Sequence, residues 1–269
     1  MSELSDRIAG TFTDFPATHD LLTDMDRTHE KLLGLGTYTA DERAGLDSYE
    51  ESFEVRFVYN SNAIEGSTLT MGETALVLSG DFVPNRPGRD YFAARGCADG
   101  MAYYRRAIAA GREVDEAFIC DLHERTVLDC QPATRGVYRR HPVYIRGSEM
   151  VPANWLAVPE LMACLITSWT NSYAHPVLKA VAFHALFEQI HPFADGNGRT
   201  GRLVLNHMLE STGYPPIAIT AERRGQYLKA LESWQTKDDT DGLIMLVAEA
   251  IAYEMDARIA CVLSTRLAT

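Results

Sequence analysis

The chain has 269 residues, 46% of them hydrophobic and 23% charged, which suits a soluble globular fold with a sizeable core. Its 25 basic and 37 acidic residues leave a formal net charge of −12, which disfavours broad binding to nucleic acid or to an acidic membrane. Five widely spaced cysteines without a CxxC, a polar N-terminus and no long apolar run argue against a disulfide framework, a zinc site, a secretory signal and a membrane span, and point to the cytoplasm.

The first forty residues hold a mixed start: Leu4, Ile8 and Phe12, then Phe15-Pro16. A helix is predicted over His19 to Leu33, ended by Gly34 and Gly36. A stronger helix should run from Asp41 to about Asn62, with Leu46, Tyr49, Phe53, Phe57 and Val58 on one side. It closes in Ser61 to Thr70, SNAIEGSTLT. Thr70 and Glu73 have capping-box spacing and should open a short helix, Met71 to Leu78. Asp90 is a candidate cap for a helix reaching Ala110, and another helix should span Asp115 to Leu128. His123 and Glu124 on it are explained by packing and solvation.

The rhythm changes between Gly136 and Gly147, where Val137, Val143 and Ile145 suggest short extended segments and Pro142 restricts them to an edge or hairpin. Arg139, Arg140 and His141 in this stretch read as solvated loop side chains. A helix from Pro159 to Tyr173 follows. His175-Pro176 then opens a helix whose Val177, Val181, Leu186, Phe187 and Ile190 fall at helical spacing. His184 and His191 are two turns apart on it, too far to share a metal.

The stretch His191 to Arg202, HPFADGNGRTGR, carries the chemistry. Pro192 ends the helix before it. Gly196 and Gly198 flank Asn197 ahead of a second apolar helix, a way to aim several N–H groups at one anion. Arg199 and Arg202, three apart, should share a face and fork onto phosphate oxygens. Asp195 suits a Mg²⁺ that bridges phosphates. His191 can take up a proton near neutral pH. Base, metal ligand, anion nest and arginines together suit phosphoryl or nucleotidyl transfer.

This stretch resembles the signature of the Fic family, with similarity from about Ser61 to about Trp234. The resemblance implies an all-α helical bundle with a small β-hairpin flap at 136–147 over the active site. It also implies transfer of a nucleotide monophosphate, usually AMP from ATP with Mg²⁺, to a Ser, Thr or Tyr hydroxyl of a target protein, self-modification included. His191 would be the base, Asp195 the metal ligand, and Gly196, Asn197, Gly198, Arg199 and Arg202 the phosphate site. The flap would hold the target segment by strand addition. Ser61, Glu65 and Gly66 resemble the inhibitory motif of family members with an intramolecular N-terminal helix; Glu65 would form a bidentate pair with Arg202 in the space that the γ-phosphate needs.

Three regions are expected: 1–90 carrying the inhibitory motif, 91–235 as catalytic core and 236–269 as a packing helix. In the helix predicted from Glu222 to Trp234, Tyr227 is the candidate for the adenine, with Leu228 where many relatives carry a second Tyr. Asn206 could approach the nucleoside or serve only as a capping amide. The same site could instead remove AMP from a modified protein. Relatives also use other nucleotides or act as kinases or phosphocholine transferases, and a non-catalytic nucleotide-sensing module is a further alternative. Some relatives form homodimers through this domain.

Overall fold

The structure is a computed structural model that describes residues 3–12, 19–145 and 150–268. Its helices in chain order are α1 (Glu3–Thr11), α2 (His19–Leu33), α3 (Ala40–Ile64), α4 (Met71–Leu78), α5 (Gly88–Ala109), α6 (Glu116–Thr126), α7 (Val158–Asn171), α8 (Pro176–Ile190), α9 (Asn197–Glu210), α10 (Arg224–Lys237) and α11 (Asp241–Ala268). Phe15-Pro16 lies outside the described residues.

Local sequence accounts for most boundaries. Thr70 and Glu73 form the reciprocal capping box ahead of α4, and Thr39 with Glu42 does the same for α3. Asp115 caps α6 by accepting from the Phe118 N–H. Asp90 does not cap α5, which starts two residues before it. Its carboxylate instead reaches back to the N–H and hydroxyl of Thr68, both at 2.7 Å, and ties the segment after α3 to α5.

Helix α8 lies at the centre. Pro176 supplies its first turn and His175 its cap, and apolar side chains are buried all around it, including Val177, Leu178, Val181, Phe183, Leu186, Phe187 and Ile190. Helices α7, α9, α10 and α11 pack on it. The next layer places α5 against α3, α6 and α9, and α11 against α2 and α3. A single cluster of buried side chains runs from Ile8 to Met255 and crosses the expected boundaries at 90 and 235.

Between α3 and α11 the core is charged. Glu254, 2% exposed, accepts from Tyr49, Arg56 and Arg258, and Arg258 also reaches Glu50. Every partner is paired, so this buried network fixes how α3 lies. Its far end, Ser61 to Glu65, is thereby delivered to the N-terminus of α9.

No strand occurs among the described residues. The expected hairpin is replaced by an irregular loop through 136–145; its last two positions, 146 and 147, are outside the described residues. The loop's backbone turns inward instead of pairing with itself: the Arg139 N–H donates to Pro192 O at 2.9 Å. Arg139 is thereby tied to the end of α8 and not to a second strand.

Candidate active site

Helix α8 ends at His191, whose φ of 52° places a non-glycine residue in the left-handed region. That turn aims the imidazole into a cavity of about 710 Å³. Glu65, Glu188, Asp195, Gly196 to Gly198 and Arg202 line it, with Arg224, Tyr227 and Leu228 of α10 and Val143 to Ile145 of the loop at its edges.

His191 Nδ1 lies 3.3 Å from the carbonyl oxygen of Glu188, so it carries the proton and donates, leaving Nε2 with a lone pair. Burial pushes the imidazole down to about 4, so it is neutral near pH 7. A neutral imidazole with an open lone pair can accept a proton.

The turn after His191 is held by side chains. Asn197 closes it by accepting from the Phe193 N–H at 2.8 Å and donating to Phe193 O at 2.9 Å. Its amide is therefore spent on the loop, and what it offers the cavity is its backbone. Gly196 has φ +77° and sits so near Val127 that a Cβ would come within 2.2 Å of Val127 Cγ1. The first bond within α9 runs from the Thr200 N–H to Gly196 O. The N–H groups of Asn197, Gly198 and Arg199 precede it and form an N-terminal nest suited to an anion.

The two arginines part company. Arg199 is 2% exposed and forks onto Asp129 at 2.6 and 3.2 Å, which turns it away from the cavity. Of the two arginines expected to meet phosphate, Arg202 lines the cavity and Arg199 does not. Arg202, 3% exposed, donates to the Ser61 hydroxyl at 3.0 Å, to Ser61 O at 2.8 Å and to Glu65 Oε1 at 2.7 Å. The Glu65 contact uses one carboxylate oxygen rather than the expected two, because Ser61 takes the guanidinium's other edge. A Cβ on Gly198 would lie 2.3 Å from Glu65 Oε1, so the carboxylate rests directly against the nest. Arg202 holds the Glu65 carboxyl below its usual range despite desolvation, which acts in the opposite direction.

Asp195 is 55% exposed at the cavity edge; one oxygen accepts from the Gly196 N–H at 2.6 Å and the other meets Arg89 at 3.3 Å. Among the described residues no cluster of three or more His, Cys, Asp or Glu could hold a metal. A lone exposed carboxylate fits Mg²⁺, which dehydrates reluctantly and takes one or two carboxylates beside substrate phosphates.

Tyr227 is 1% exposed and its hydroxyl shares a hydrogen bond with His184 Nε2 at 2.7 Å, which leaves Leu228, 39% exposed, as the more accessible apolar side chain beside it. Asn206 is fully buried and bonds the Ile217 backbone twice, at 3.0 and 2.9 Å, so it braces the turn after α9 and does not line the cavity.

Two residues given no role by the sequence support the site. His123 stacks on Phe193 with ring centroids 3.7 Å apart, accepts from the Gly136 N–H and donates through Nε2 to Asp195 O. Asp129 neutralises Arg199. Neither belongs to a local motif.

Residues 113–209 match the Fic/DOC family, a span that includes His191 to Arg202. The chain carries a Fic domain. It is 32% identical over 221 residues to a protein named protein adenylyltransferase Fic from Drosophila grimshawi, covering 80% of this chain and 45% of that protein. A Drosophila persimilis protein of the same name is 29% identical over 262 residues. The chain thus spans about half the length of the curated relatives it matches. A solved Fic-domain-containing signaling protein from Bacteroides thetaiotaomicron superposes with a TM-score of 0.79 at 25% identity, covering 91% of this chain and 97% of that one. Fic-1 from C. elegans shares the fold at 24% identity, with a TM-score of 0.79 and coverage of 93% and 73%.

Proposed function

We propose that the protein is an adenylyltransferase that moves AMP from ATP to a hydroxyl of a Ser, Thr or Tyr on a target protein, and that Glu65 restrains it. The observation that carries this reading is the convergence of a neutral His191, an N-terminal nest and a buried Arg202 on one cavity, with Glu65 bound to that arginine. The names of the Drosophila relatives support the reaction class.

In this reading the triphosphate lies over the N–H groups of Asn197 to Arg199. A target hydroxyl gives its proton to His191 Nε2 as its oxygen attacks the α-phosphorus. The bond to the β-phosphate breaks and pyrophosphate leaves, its charge met by the nest and Arg202. Asp195 would hold Mg²⁺, which when bound neutralises phosphate charge. Residues 143–145 edge the cavity, and none of their backbone amides bonds another described residue, which leaves them open to a target segment. While Glu65 holds Arg202, that guanidinium is not free to meet the γ-phosphate. The 43% exposure of the Glu65 side chain also supports a second reading, in which its carboxylate orients water and the site removes AMP.

Incubating Glu65→Gly with ATP and a lysate, then locating the modified side chain by mass spectrometry, tests the reading. AMP on a protein hydroxyl is the expected product. A transferred phosphate alone, or no product at all, contradicts it. Release of AMP from an adenylylated protein by the unmodified chain but not by Glu65→Gly would favour the second reading.

A further inference from the structure

We propose that Arg139 is the positioning residue for His191: it clamps the left-handed end of α8 and fixes a positive charge behind the imidazole. The inference rests on His191 acting as the base.

Arg139 is 4% exposed although it sits in a loop. Its guanidinium donates to His191 O at 2.7 Å, Ile190 O at 3.3 Å, His141 O at 3.2 Å and Ala153 O. Its own N–H donates to Pro192 O at 2.9 Å. Three consecutive carbonyls, at 190, 191 and 192, thus bond to one residue. Those oxygens are orphaned where a helix ends, and a cation there also meets the negative end of the helix dipole.

No carboxylate pairs with Arg139 among the described residues. A buried cation without a counter-ion is costly, and a neutral side chain could have filled the space. What the charge does is visible around His191. Glu65 at the end of α3 and Asp195 in the following loop face the imidazole as charged acids, while Glu188 on α8 is kept neutral by burial and acts on it through its backbone carbonyl. Alone they would draw it towards protonation. Burial and the Arg139 charge oppose them. The same guanidinium holds the left-handed turn that aims the ring, a conformation a histidine does not favour unaided.

The test is titration of the 269-residue chain by NMR with labelled histidine, His191 being assigned as the signal that disappears in His191→Ala. Turnover is measured alongside in the Glu65→Gly background. Arg139→Met should raise the His191 midpoint by about one unit, the usual reach of a neighbouring charge, and lower kcat with KM for ATP little changed. Arg139→Lys keeps the charge but not the fork, so its midpoint should stay and its kcat should still fall. An unmoved midpoint in Arg139→Met, or full kcat in Arg139→Lys, would overturn the inference. If Arg139→Met does not fold, kcat in Arg139→Lys decides. Activity surviving in His191→Ala would instead defeat the reading of the base itself.

Discussion

Glu65→Gly removes the carboxylate that competes for Arg202. A hydrogen bond to a charged group contributes about 1.5–3 kcal/mol, and ion pairs open to water contribute less. Arg202 is 3% exposed on its side chain but Glu65 is 43% exposed, so the lower part of that range applies. About 1.5 kcal/mol corresponds to roughly a tenfold change in the population able to seat a γ-phosphate. The backbone cost is small, because Glu65 is the C-cap of α3 and Gly66, at φ +93°, already makes the turn. The initial rate of label transfer from α-labelled ATP should therefore rise about tenfold, and Glu65→Gln should fall between the two. The carboxyl is held below its usual range, so the pairing is present above the unfolded value and is lost only as pH falls through the lowered one. The ratio of the two rates should then be flat from pH 6 to 8. Equal rates for the two proteins, or a ratio that collapses near neutrality, would refute the argument.

Other consequences are independent of Glu65. Asp129→Ala strands the buried Arg199 and should cost about 3–5 kcal/mol in urea unfolding; a loss under 1 kcal/mol would contradict the pairing. Gly201→Ala puts a Cβ 2.5 Å from Glu188 Oε1 and 3.1 Å from Phe187 Cδ1, so overpacking between α8 and α9 should cost about 1–3 kcal/mol, and an unchanged midpoint would refute it. The imidazole of His191 is lowered to about 4 and the base must be neutral, so the free-enzyme pH–rate profile should stay level down to about pH 5; a half-maximal rate near 6.5 would contradict this. His123, His184 and His207 are likewise held neutral by burial. Their stabilisation is complete above the unfolded histidine value and lost as pH falls, while Glu188, raised to about 8 by burial, acts in the opposite sense. Thermal melts should show a lower midpoint at pH 4.5 than at 6.5, and no change would argue against the buried neutral histidines.

Much of the site was legible because its parts are neighbours in the chain. Pro192, the paired glycines and the apolar runs on either side place His191 between α8 and α9, and the Thr70–Glu73 spacing marks α4 without help from the core. What could not be read depends on distant partners. Arg199 and Arg202 look equivalent in a helical projection. Asp129, seventy positions before Arg199, claims one, while Ser61 and Glu65 claim the other. His123 sits on a helix that reads as ordinary until Phe193 is brought against it. The alternation of Val143 and Ile145 is a fair strand signal by itself, but it carries no information about Arg139 being drawn beneath the end of α8. Asn206 was open between a nucleoside contact and a capping amide for a similar reason: an amide one turn past Arg202 has the right address, and the Ile217 backbone takes both its ends.

The most direct measurement compares Glu65→Gly with the double variant Glu65→Gly, His191→Ala, each given ATP labelled at the α- or the γ-phosphate. Label from the α-position alone should reach protein in the first, and none should do so in the second while nucleotide binding persists. Protein labelled from the γ-position, or α-label that survives loss of His191, would contradict the account.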